Sequence, residues 1–263
     1  MQNVYLPHTK IKRLLLVFGF SLMTLIATAQ EAGNLSPTRH IGGGVTVTNN
    51  GISLLPTFTL GKPAAIFDLS VGGEKLSFEP QFRFALDAKP WAFIFWWRYK
   101  LLNNDKFRLH VGAHPAFMFR TIPVTTDGET SDVLEALRFV AGEISPNYML
   151  TKNISIGMYY LYGHGFQTTV TQNSHFLTLN SNFSNIRLSE KFYMKFHPQV
   201  YYLRMDKEDG FYITASLTLA RLDFPLAIQA IVNQPFTTTI AGGDEFVWNF
   251  SLIYSFNREY IGK

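Results

Sequence analysis

The chain has 263 residues, of which 47% are hydrophobic, and its formal net charge is +4. It contains no cysteine, which excludes disulfide bonds and thiolate metal sites. The length allows one large β domain or two small ones, and no Pro/Ser-rich linker or block of charge divides the sequence.

The N-terminus has the pattern of a secretory signal peptide. Residues 1–13 are basic, an apolar run follows from Leu14 to Ile26, and the small residues Ala-Thr-Ala close the segment. The apolar run is shorter than the roughly 20 residues that a membrane-spanning helix needs. We therefore predict a cleaved signal peptide over 1–29, followed by an irregular periplasmic lead-in over 30–50.

Removal of the signal peptide changes the charge argument. Three of the 23 basic residues lie in it and none of the 19 acidic ones, so the mature chain carries 20 bases against 19 acids. A chain this close to neutrality shows no electrostatic sign of nucleic-acid binding. We expect no nucleic-acid partner.

The rest of the chain alternates with period two, which is typical of β-strands. In the stretch WAFIFWWRYK, 91–100, one face is wholly aromatic and the other ends in Arg98 and Lys100. Only SDVLEALRF, 131–139, looks briefly helical, and it falls in a predicted loop. The predicted strands, about twelve, lie roughly at 51–60, 64–72, 75–86, 91–102, 106–119, 138–150, 153–163, 174–187, 191–204, 211–222, 225–233 and 246–257.

The predicted connections alternate in length. Those that follow even-numbered strands are all short, and several that follow odd-numbered strands are long. Short periplasmic turns, longer outer loops and an even strand count are typical of outer-membrane barrels. We predict a closed, antiparallel transmembrane β-barrel over 51–263, in the outer membrane of a Gram-negative bacterium. A soluble lipocalin-like β protein is the alternative fold.

Three features carry a family resemblance. They are the series of strands and turns, the segment ATAQ that ends the signal peptide, and the aromatic last strand FVWNFSLIYSF. The chain resembles the small, uncharacterised outer-membrane β-barrel proteins of Bacteroidetes-type bacteria. The resemblance implies architecture and not role, since such barrels include pores, enzymes, adhesins and structural proteins. It also implies outer-membrane lipid and the barrel-assembly machinery as partners, and it leaves the oligomeric state open.

Alternation divides the candidate site residues between two faces. If water fills the lumen, an excess of basic residues on the inner face favours anions; if the side chains fill it, they form a structural plug. The predicted pore-lining residues are Asp68, Glu79, Gln81, Arg83, Arg98, Arg108, His110, His114, Glu143, Lys195, His197 and Gln199. The predicted lipid-facing residues, which suit an aromatic girdle, are Trp91, Trp97, Tyr99, Trp248, Tyr254 and Phe256.

Five predicted strands contain a proline near the middle. Proline removes a hydrogen-bond donor from the strand ladder, and a closed barrel has no edge to place it on. We therefore expect bulges or bends at these positions, which are Pro56, Pro80, Pro115, Pro146 and Pro198.

Signals for metal binding and catalysis are weak. The inner-face histidines and glutamates lack a short ligand spacing, because residues i and i+4 of a strand lie roughly 13 Å apart. Ser174 and His175 are neighbours in a strand and point to opposite faces, so they do not form a nucleophile–base pair. We expect no metal, no cofactor and no enzymatic activity.

The sequence thus predicts a narrow porin-like channel for small polar or anionic solutes. A plugged structural or surface-binding barrel and a lipid-active outer-membrane enzyme are the alternatives.

Overall fold

Twelve antiparallel strands close into one barrel in a computed structural model, which describes residues 38–126 and 129–261. Each strand pairs with its neighbours in the chain, and the first strand pairs with the last. The prediction of a closed 12-stranded barrel is confirmed. The strands are β1 (Thr38–Thr48), β2 (Ala64–Gly72), β3 (Leu76–Ala85), β4 (Pro90–Asn103), β5 (Phe107–Thr126), β6 (Glu129–Met149), β7 (Ile154–Gly165), β8 (Asn173–Arg187), β9 (Phe192–Met205), β10 (Glu208–Arg221), β11 (Leu226–Thr238) and β12 (Val247–Ile261).

Alternation gives the barrel an apolar outside and a mixed inside. Along β12, Trp248, Phe250 and Leu252 are exposed on the outer face, whereas Asn249 and Ser251 are buried on the inner face. Closure leaves no unpaired strand edge, so the strands satisfy their backbone groups inside a bilayer. An even number of strands with this apolar exterior is the outer-membrane form of barrel, and the protein is an outer-membrane β-barrel.

The two ends of the barrel carry different connections. One end, which we call the turn end, carries short turns at 73–75, 104–106, 150–153, 188–191 and 222–225. The opposite end, which we call the loop end, includes connections at 49–63, 86–89, 166–172, 206–207 and 239–246. Within the described ranges, no helix has the length and hydropathy to cross a membrane.

A long hairpin replaces the predicted loop between β5 and β6. These strands contain 20 and 21 residues, about twice the 9–11 that a tilted strand needs to cross a bilayer, so the hairpin projects beyond the loop end. The loop predicted over 131–139 is wrong, and its brief helical pattern forms no helix. Its residues pair with the opposite strand, as Val133 does with Ile122, and this pairing overrides a helical pattern only nine residues long.

The barrel begins earlier than predicted. The lead-in predicted over 30–50 contains β1, and the strand predicted over 51–60 belongs instead to the connection 49–63. Glycine has a low strand propensity, so the run of three glycines gives no sequence signal for β1. The sheet nevertheless requires glycine at position 43, because a Cβ at Gly43 would overlap the backbone oxygen of Asp68 on β2. The predicted signal peptide over 1–29 lies outside the described residues.

The strand prolines interrupt the ladder without shifting it. At Pro80, Pro115, Pro146 and Pro198, pairing with one neighbouring strand skips two residues and resumes in the same register. The expectation of a bulge is wrong at these four positions, because a missing N–H removes a bond and inserts no residue. Pro56 begins a single 3-10 turn, Pro56–Phe58, in the connection 49–63.

Candidate functional site

The connection 49–63, which we call the inserted loop, folds back into the loop end of the barrel. Its ends are pinched together, because the Gly51 amide donates to the Lys62 carbonyl at 2.7 Å and the Leu60 amide donates to the Gly51 carbonyl at 2.8 Å. A Cβ at Gly51 would lie 3.1 Å from the Trp91 ring and 3.2 Å from Leu60. Glycine at this position therefore permits the tight entry of the loop into the barrel.

Two hydrogen bonds from opposite walls hold the inserted loop. Trp91 Nε1 donates to the Phe58 carbonyl at 3.0 Å, and the Tyr201 hydroxyl donates to the Leu54 carbonyl at 3.3 Å. Leu54 and Leu55 pack on a buried cluster of β8–β10 and the loop 239–246, which comprises Phe176, Tyr201, Leu203, Met205, Tyr212 and Ile240. The apolar sequence of the loop thus finds an apolar wall inside the barrel, which stabilises the inserted position.

Trp91 faces the interior, and its prediction as a lipid-facing residue is wrong. The register between β3 and β4 shifts here, with Arg83 opposite Ala92 and Phe84 opposite Pro90, so Trp91 is an extra residue in a bulge. The bulge reverses the alternation at Trp91 and leaves only 2% of its surface exposed. The ring then contacts the inserted loop in place of lipid.

A charged cluster occupies the inner face of β3 to β7. Arg98 pairs with Glu79 and donates through Nε to Glu143 at 2.7 Å. The Tyr159 hydroxyl donates to the second oxygen of Glu143 at 2.7 Å. The Glu143 side chain is only 3% exposed, so these donors compensate a carboxylate that water does not reach.

Gly112 makes the central ion pair possible. It lies between the two partners in register, opposite Arg98 on one side and opposite Glu143 on the other. A Cβ there would sit 2.8 Å from Glu143 Oε1 and 3.1 Å from Arg98 Cγ. The absence of a side chain on β5 lets an arginine of β4 reach across to a glutamate of β6.

A second polar chain runs along β2 and β3. The Gln81 amide donates to Asp68, and its oxygen accepts a bond from Arg83 Nε at 2.7 Å. The Arg83 guanidinium lies 5.0 Å from the centre of the Trp91 ring. Gln81 therefore separates the two charges, and Arg83 makes no ion pair among the described residues.

Three cavities follow one another along the barrel axis. A loop-end cavity of ≈ 840 Å³ lies above the inserted loop, a middle cavity of ≈ 200 Å³ below it, and a turn-end cavity of ≈ 330 Å³ beyond that. Phe58 and Phe139 line both the loop-end and the middle cavities. Arg83 and Trp96 line both the middle and the turn-end cavities. The lumen is thus divided at two levels.

The structure brings together only part of the predicted pore lining. Asp68, Glu79, Gln81, Arg83 and Arg98 surround the turn-end cavity. Glu143 bonds Arg98 from the charged cluster. The other six do not line this cavity: His114 lines the middle cavity, and five lie on the inner faces of β5 and β9 by alternation. Those five are Arg108, His110, Lys195, His197 and Gln199. No group of metal-ligating side chains occurs in the part of the chain described.

The remaining predicted girdle residues lie on the outer surface. Between 38% and 51% of the surface of each is exposed, as alternation places them on the face opposite the lumen. These residues are Trp97, Tyr99, Trp248, Tyr254 and Phe256.

Sequence reasoning missed Phe58, which lies at the first division of the lumen. Phe58 packs against Phe139 with ring centres 5.1 Å apart. The apolar run ISLLPTFTL, which contains Phe58, reads equally well as a strand. Its proline and the pair of asparagines before it are the signals that could have marked a turn.

No family model and no curated protein matches the sequence. Solved structures with a similar outline include a KdgM porin in complex with disordered oligogalacturonate, at 10% identity and TM-score 0.48, covering 82% of this chain and 99% of that one. An outer membrane channel from Pseudomonas putida F1 has 10% identity and TM-score 0.45, covering 87% and 97%. A NanC porin has 12% identity and TM-score 0.43, covering 86% and 100%. The closed strand order itself, and not these likenesses, establishes the barrel. The resemblance to barrels of Bacteroidetes-type bacteria stays a prediction.

Proposed function

We propose that the protein is a narrow channel for small polar solutes across the outer membrane. The observation that carries this proposal is the series of three cavities along one axis, in which each cavity shares wall residues with the next. The inserted loop forms the first division and the Arg83 and Trp96 side chains form the second, so a rearrangement of the loop and of these side chains joins the cavities into a path. The polar and charged linings of the loop-end and turn-end cavities support passage of hydrated or hydrogen-bonding solutes.

Charge along the path is nearly balanced. Bases and acids are equal in number around the loop-end cavity, where Lys62, Lys89 and Arg120 accompany Asp87, Asp132 and Asp206. Around the turn-end cavity, Arg83 and Arg98 accompany Asp68 and Glu79. Arg98 is already paired with Glu79 and Glu143, so it does not contribute to selectivity. We propose that Arg83 and the other bases near the turn end give the channel a weak preference for anions.

A plugged barrel is the second candidate, and the inserted loop favours it. The loop is hydrogen-bonded to both walls and closes the cross-section at Phe58. In this case the loop-end cavity of ≈ 840 Å³ is a surface-binding site and the barrel is its scaffold.

Single-channel recording in planar bilayers distinguishes the two candidates. We expect the wild-type barrel to give a small, steady conductance and Phe58→Ala to raise it several-fold, because that ring lines both sides of the first division. Phe236→Ala is the matched control, since its ring is 66% exposed on the outer surface and its loss should leave conductance unchanged.

The same recordings measure selectivity. In a salt gradient, the reversal potential should show a weak anion preference that Arg83→Gln abolishes. A folded barrel that carries no current, with or without Phe58, overturns the channel proposal in favour of the plugged barrel.

We also propose that the role is not enzymatic. Ser174 points inward and its hydroxyl faces the Gly163 carbonyl at 3.5 Å, whereas His175 points outward and bonds the Tyr160 hydroxyl at 2.8 Å. This separation speaks against the lipid-active enzyme. The apolar exterior supports membrane lipid as a partner. We propose the barrel-assembly machinery as the partner that inserts the barrel.

A further inference from the structure

The middle cavity combines apolar walls with a cationic group. Most of its lining is hydrophobic, including Phe58, Ile94, Ala116 and Phe139. Arg83 is the one charged side chain in that lining among the described residues. An enclosed apolar space with a single charge is an unusual place for water and a suitable place for an amphipathic ligand.

The Arg83 guanidinium has unused hydrogen-bond donors. Its Nε donates to Gln81 at 2.7 Å, and neither Nη atom bonds to any described residue. The nearest acid along the chain of contacts, Asp68, is occupied by the Gln81 amide. A guanidinium presents two parallel N–H groups that match the two oxygens of a carboxylate.

His114 supplies a second polar group to the same cavity. Only 8% of its surface is exposed, its ring packs edge-to-face against Trp96 with ring centres 4.0 Å apart, and its Nδ1 has no hydrogen-bond partner among the described residues. An unpartnered buried nitrogen in a folded protein is costly, and a ligand in the cavity would satisfy it.

We propose that the middle cavity binds a small monocarboxylate with an apolar body, which Arg83 holds through its carboxylate. The volume of ≈ 200 Å³ limits the body to about one aromatic ring, since a cavity of about 150 Å³ accommodates benzene. Benzoate has this size and charge. The binding site is argued from its own geometry and does not depend on the channel function. The further step, that the channel transports such acids, rests on the proposed function.

Isothermal titration calorimetry of the folded, full-length protein in detergent tests the site. Benzoate should bind at least ten-fold more tightly than benzyl alcohol, which has the ring without the charge, and than acetate, which has the charge without the ring. Arg83→Gln should weaken benzoate binding at least ten-fold, and Arg83→Lys should weaken it less. Arg221→Gln, an exposed arginine at the turn end of β10, should leave binding unchanged.

A variant that leaves the charge in place tests the position of the site. Ala116→Leu enlarges a side chain that is 6% exposed in the cavity wall, so it should reduce benzoate binding at least ten-fold while Arg83 stays. This variant keeps the proposal testable if Arg83→Gln fails to fold, which the loss of heat-modifiable migration in electrophoresis would reveal.

Three results would overturn the site: equal binding of benzyl alcohol, unchanged binding after Arg83→Gln, or unchanged binding after Ala116→Leu. The bilayer recordings are independent of them. A barrel that binds benzoate and conducts nothing keeps the site and loses the channel. A barrel that conducts and does not bind benzoate keeps the channel and loses the site.

Discussion

The two walls of the lumen hold their shape by different means. The wall of β3 to β7 is charged, with Arg98 set between Glu79 and Glu143. The wall of β8 to β10 is aromatic, with Tyr201 stacked on Tyr212. The first wall depends on a few strong, partner-specific contacts, whereas the second depends on many weak ones. Single substitutions should therefore damage the charged wall more than the aromatic wall.

The largest effect should come from Arg98→Gln. It leaves Glu143, with a side chain only 3% exposed, without its cationic partner. Removing one partner of a buried pair costs about 3–5 kcal/mol, and the lower end, about 3 kcal/mol, applies here because a third of the Arg98 side chain is exposed. Equilibrium unfolding in urea, with the barrel refolded into lipid vesicles, measures this loss.

A double variant separates the ion pair from the buried charge. If Arg98→Gln lowers the stability of the barrel because it leaves the Glu143 carboxylate buried and unpaired, adding Glu143→Gln should restore much of the lost stability. No recovery in the double variant would mean that Arg98 acts through packing, for example through its contact with the Trp96 ring at 4.3 Å.

Gly112→Ala should have the next largest effect, about 2 kcal/mol, because the new methyl group overlaps Glu143 and Arg98 in a packed interior. Gly142→Ala is the matched control, since its added Cβ would meet nothing closer than 3.8 Å. The comparison is made between the urea unfolding midpoints of the two variants. Equal midpoints would show that position 112 tolerates a Cβ atom.

Tyr201→Phe tests the aromatic wall and should cost about 1 kcal/mol. It removes the hydroxyl whose one proton is shared between the Asn233 amide oxygen at 2.9 Å and the Leu54 carbonyl of the inserted loop at 3.3 Å, and it keeps the ring that stacks on Tyr212. The same urea titration measures it. A loss as large as that of Arg98→Gln would mean that one hydrogen bond, and not distributed packing, holds this wall.

Sequence alternation predicts which face of the barrel a side chain occupies, except where a single extra residue reverses the alternation. Period two placed Arg98 inside and Trp97 outside, because side chains of a strand alternate wherever pairing is regular. Trp91 broke the rule, since one extra residue in a bulge reverses the face and no local signal marks it. Phe58 was assigned to a strand because an apolar run cannot show whether its apolar partner is lipid or the barrel interior.

Long-range pairing explains the rest. The bonds across Gly112 join three strands, and no spacing in the sequence shows that Arg98 and Glu143 lie two strands apart at the same level. The short turns and eleven of the twelve strands were predictable because they are local, and the total of twelve was right because the false strand at 51–60 replaced the missed β1. The inserted loop and the charged cluster were not, because each depends on contacts between residues distant in the chain.

The smallest effect should come from Arg120→Gln, which breaks the pair with Glu135 on the projecting hairpin. The pair has the same chemistry and the same 2.7 Å distance as Arg98–Glu143, but its side chains are 43% and 30% exposed. Exposed pairs contribute about 0–1 kcal/mol and weaken in salt, so the loss should stay below about 0.5 kcal/mol and vanish near 1 M salt. Urea titrations at low and high salt test this together with Arg98→Gln. If both substitutions cost the same, depth in the barrel does not set the strength of its ion pairs, and the contrast between its walls has another cause.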